Sequence, residues 1–179
     1  MTEDKKKLYG MLGMIPVIIG CIWMILKAIK ADNIFVMLSI ISGLITFAIA
    51  MAYAGKGYKK NGAGYYKAYM VMFAVTCALG IVPAFMGYDY GVLAKVVAVA
   101  ALICALILAF WKDLGKTKSY VVGIIATLLY LILFVSHIFA GGNFFDTAQA
   151  SFTGLLMSLL SLVFISAKYA DKSARGRKI

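Results

Sequence analysis

Six long apolar runs separated by short polar stretches make up most of the chain. They extend approximately from Leu8 to Leu26, Ile34 to Ala54, Ala68 to Gly87, Val92 to Trp111, Tyr120 to Ala140 and Thr147 to Ala167. Crossing the hydrocarbon layer takes about 20 apolar residues at helical rise, and each run is long enough. Hydrocarbon offers the backbone no hydrogen-bond partner, so a spanning segment must close its own bonds as a helix. Barrel strands would be about ten residues of alternating polarity, which these runs are not. The pattern predicts an all-α membrane protein, a six-transmembrane-helix bundle forming one domain over residues 1–179, with residues 168–179 as a basic tail.

The polar stretches between the runs give the bundle a direction. With the N-terminus inside, the inner segments hold Lys5, Lys6 and Lys7; Lys56, Lys59, Lys60 and Lys67; Lys112, Lys116 and Lys118; and Lys168, Lys172, Arg175, Arg177 and Lys178. Fifteen of the 18 basic residues are thus inside, leaving Lys27, Lys30 and Lys95 outside. Cytoplasmic loops carry such an excess of Lys and Arg, so both termini are expected in the cytoplasm and the chain in a plasma membrane. Tyr53, Trp111 and Tyr169 each close an even-numbered run and follow one another at 58-residue intervals, consistent with three similar helical hairpins. Interfacial aromatics are ordinary in membrane helices, and chance spacing explains them equally well.

The first run has a second reading. A basic start followed by an apolar stretch also describes a signal peptide, and Ile18-Ile19-Gly20-Cys21 resembles the lipobox of bacterial lipoproteins. The run continues apolar through Ile22, Trp23, Met24, Ile25 and Leu26, where a mature lipoprotein turns polar. An uncleaved helix is therefore expected.

Composition agrees with the pattern. The chain is 64% hydrophobic and 14% charged, with a mean hydropathy of +0.95. Soluble domains are nearer half apolar and a quarter charged. A net charge of +11 on a soluble fold would suggest nucleic acid, but here the basic residues fall in bursts between spans. Anionic lipid headgroups on the cytoplasmic face are the expected partners, and nucleic acid is not. Cys21, Cys77 and Cys104 all lie inside apolar runs without a CxxC pair, which argues for packing rather than disulfides or zinc. No metal and no cofactor are expected.

Lipid tails are as apolar as leucine, so helices in a bilayer associate through small residues and a few polar contacts. Ala94, Ala98, Ala101 and Ala105 form one such seam on the fourth helix, and Ser151, Gly154, Ser158 and Ser161 another on the sixth. The same hydroxyls have a second reading, as the lining of a solute path. Six helices with both termini inside is an architecture similar to the substrate-binding components of energy-coupling-factor vitamin transporters, which dock on their partner through small residues of the first helix. Three hairpins also resemble the small acid-resistance membrane proteins of bacteria. Both likenesses are architectural and assign no residue.

Charged residues inside the membrane usually mark proton relays and ion pathways, and the centres of all six runs lack Asp, Glu, Lys and Arg. The remaining polar groups gather at the outer ends: Tyr88 and Asp89 in the loop after the third run, Lys95 one turn into the fourth, His137 near the end of the fifth, and Asp146 in the last outer loop. A compact bundle would converge these five on an outward vestibule. A solvated loop with Lys95 snorkelling to the headgroups is the plainer alternative. A Ser136–His137–Asp146 catalytic group is disfavoured, because neighbours on a helix face different ways. The glycine- and lysine-rich stretch Gly55–Gly64 lacks the GxxxxGK[ST] order of a phosphate loop. The expected function is non-enzymatic: a small-solute binding or transport subunit, or else an accessory subunit docking on another membrane protein.

Overall fold

The computed structural model describes residues 15, 18–26, 29–30, 34–54, 62–85, 91–111, 114–139 and 149–176. All regular structure among them is helical. The helices are α1 (residues 18–26), α2 (Ile34–Ala52), α3 (Gly62–Phe85), α4 (Gly91–Phe110), α5 (Lys116–Phe139) and α6 (Gln149–Gly176). Five of them, α2 to α6, are long and apolar enough to cross a membrane. Residues 8–14 of the first predicted run lie outside the described residues.

Two helices extend beyond the apolar runs. α3 begins at Gly62 rather than Ala68 and so takes in Lys67. α6 continues from Ala167 through Lys168 to Gly176, so most of the basic tail is helical. Hydropathy marks where lipid ends. It does not mark where the helix ends, because Ala, Lys and Arg are all good helix formers in water. Gly91 opens α4 with φ +72°, a left-handed conformation that L side chains avoid.

Contacts fix how the helices lie. α3 packs against α2, α4 and α6; α4 packs against α5, and α5 against α6. Helices α3 to α6 therefore close into a four-helix ring, and α2 lies outside it along α3. Neighbours are antiparallel. Tyr66 near the start of α3 meets Leu108 near the end of α4, Thr46 meets Thr76 across α2 and α3, and Ser119 meets Tyr169 across α5 and α6. α1 touches this body through Met24, whose methyl lies over Gly43 of α2, beside the methyl of Met157 from α6.

The ring is filled by aromatic and small residues. Tyr69, Phe73, Met70, Leu108, Met157, Phe164 and Ile165 are almost wholly buried. Two glycines seat large neighbours. A Cβ at Gly154 would enter the ring of Tyr130, and one at Gly123 would meet the ends of Leu162 and Ile165. Of the expected seam, Ala94, Ala101, Ala105, Gly154 and Ser158 are buried within the chain, while Ala98 is half-buried. Bulky apolar residues turn outward instead, including Val96 and Ile103 on α4 and Ile124, Leu128 and Ile132 on α5. Small residues inside and large ones outside is the arrangement expected where lipid is the solvent.

Candidate functional site

The antiparallel packing gives the bundle two ends. At one end lie the starts of α4 and α6 and the finishes of α3 and α5, with Lys95 and His137. At the other lie the starts of α3 and α5 and the end of α4, with Tyr66, Lys168 and Tyr169.

At the His137 end, Nδ1 of His137 is 3.1 Å from Oγ of the buried Ser151, which joins α5 to α6. Phe134 and Phe152 pack one turn away, with ring centroids 5.4 Å apart. Lys95 leans toward α3, its Nζ 5.9 Å from the centroid of Phe85. A cation over an aromatic face gains roughly 0.5–1 kcal/mol where it is exposed. Both side chains are half-buried. Their described partners lie on different helix pairs, α5–α6 for His137 and α3–α4 for Lys95. Tyr88, Asp89 and Asp146, the other three residues of the expected vestibule, lie outside the described residues. Ser136 donates to the carbonyl of Leu133 at 2.8 Å, a bond within its own helix.

The hydroxyls along the helices are similarly engaged. Ser42 donates to Ser39, Thr46 to Ser42, Thr76 to Met72, Thr127 to Gly123, Ser158 to Leu155 and Ser161 to Ser158, all through main-chain carbonyls of the same helix. Such back-bonding satisfies a hydroxyl where water is absent. The serine and threonine faces are thus tied to their own helices. Thr46 and Thr76 also meet across α2 and α3 at 3.3 Å.

Midway along the ring, Tyr130 reaches from α5 across Gly154 of α6 to Cys77 of α3, with O and S 3.6 Å apart. Cys77 and Cys104 are buried, Cys21 is half-buried, and all three are free thiols. No group of three or more His, Cys, Asp or Glu side chains suited to a metal occurs among the described residues.

The Tyr169 end is richer than the sequence suggested. Tyr53, Tyr65, Tyr69, Phe73 and Phe164 form a continuous aromatic group joining α2, α3 and α6. Its closest pair is Tyr69 stacked on Phe164, with centroids 4.3 Å apart. The hydroxyl of Tyr66 donates to the Leu108 carbonyl at 2.6 Å, and that of Tyr69 to the Met157 carbonyl at 2.7 Å. Lys168 holds its Nζ 4.2 Å from the Tyr66 ring centroid and 5.4 Å from that of Tyr169. Tyr169 meets Ser119 at 3.2 Å, tying the start of α5 to α6.

The three aromatics at 58-residue intervals occupy unlike places. Tyr53 is buried in the aromatic group and Trp111 is 60% exposed, while Tyr169 bonds to Ser119. A tyrosine within an apolar run carries a hydroxyl that hydrocarbon cannot satisfy, so it must find a partner on another helix. That was the available signal for Tyr69 and Tyr130. Comparison with protein-family models, with curated proteins and with solved structures finds no match.

Proposed function

We propose that the chain is a six-span protein of a plasma membrane, with both termini cytoplasmic. It acts as a non-enzymatic subunit that binds or transports a small solute at the His137 end, which faces outward. One observation carries this reading. Among the described residues, lysine and histidine side chains lie toward the ends of the ring, with Lys95 and His137 half-buried between helices at one end, while the centre is filled by large apolar and aromatic groups. A cation and an imidazole held against a packed bundle lose side-chain freedom before any ligand arrives, which favours binding there. The sixth span rests on the apolar run from Leu8 to Leu26 in the sequence. The loop-by-loop excess of Lys and Arg supports the orientation.

The test is thermal stability of the purified full chain against a panel of small acids, amino acids and vitamin-like solutes. A ligand at about 100 times its Kd stabilises the folded state by roughly 2.7 kcal/mol, a shift of several degrees. One solute class should give that shift, and Lys95→Ala with His137→Ala should abolish it while lowering the ligand-free Tm by only a few degrees. A panel without any shift, or a shift that survives in the double variant, sinks the reading.

A second reading, an accessory subunit on a larger membrane complex, is favoured by α1. Ile18, Ile19, Ile22, Ile25 and Leu26 are all exposed there, and Met24 alone among its described side chains is buried. A partner would then be met by bulky apolar side chains, because the small-residue seams are occupied inside the chain. Ile18→Ala with Ile22→Ala should release a co-purifying subunit; retention of the complex counts against docking through α1.

A further inference from the structure

We draw no further inference here: the strongest candidate, the exposed strip of small residues Gly64, Ala68, Val75 and Ala78 along α3, is an unpartnered apolar face, and nothing in the structure shows what covers it.

Discussion

The two ends of the bundle are built differently. At the Tyr169 end, aromatic rings from α3, α6 and the residue following α2 stack into one group, and three tyrosine hydroxyls are fixed on neighbouring helices. At the His137 end, the cross-helix contacts include the His137–Ser151 pair and Lys95 over Phe85. The first end spends its polar groups on holding helices together. The second holds a half-buried lysine and a half-buried histidine at its rim. The contrast is between an end whose aromatic rings and hydroxyls join three helices and an end where the described cross-helix contacts run in separate pairs, α5 with α6 and α3 with α4.

Substitutions that break this contrast should differ in size. Gly154→Leu should be the most damaging, because its side chain would occupy the position of the Tyr130 ring and push apart α5 and α6 midway between the ends. Overpacking of this kind costs about 3 kcal/mol or more when backbone must shift, and the variant should fail to elute as a folded species in detergent. Tyr69→Ala comes next, with about 3–5 kcal/mol lost in reversible unfolding from micelles, since it empties a buried site beside Phe164. Tyr66→Phe keeps the ring but removes the donor to Leu108, for about 1 kcal/mol. Lys168→Gln removes a cation from two rings and should cost about 0.5–1 kcal/mol by the same measurement. His137→Ala should cost least of the five, under about 1 kcal/mol, while removing any solute-dependent stabilisation. Should His137→Ala prove more damaging than Tyr66→Phe, the two ends would not differ as described.

Much of the fold was legible because a membrane restricts the choices. Apolar runs of about 20 residues at α2, α4 and α5 allowed nothing but a helix, and their observed limits fall close to the expected ones. The extensions of α3 to Gly62 and of α6 to Gly176 were hidden, since helices continue into water without any hydrophobic signature. The small-residue seams were visible as spacing alone. Their neighbours were not, and only packing reveals that Gly154 receives Tyr130 while Ala101 and Ala105 face the core. The aromatic end was missed for a related reason. Tyr53 and Tyr169 read as interfacial belt residues, whereas burial depends on which helix lies opposite, and that is a long-range property. Of the expected vestibule, Lys95 and His137 lie at one end of the ring; Tyr88, Asp89 and Asp146 fall outside the described residues.

The account stands on the two ends facing different compartments. Replace Cys21, Cys77 and Cys104 by alanine, then introduce Phe139→Cys at the exposed end of α5 or Lys116→Cys at its exposed start. Label intact cells with a membrane-impermeant maleimide. Phe139→Cys should react before the cells are opened, and Lys116→Cys only afterwards. Labelling in the reverse order, or of both sites in intact cells, would contradict it.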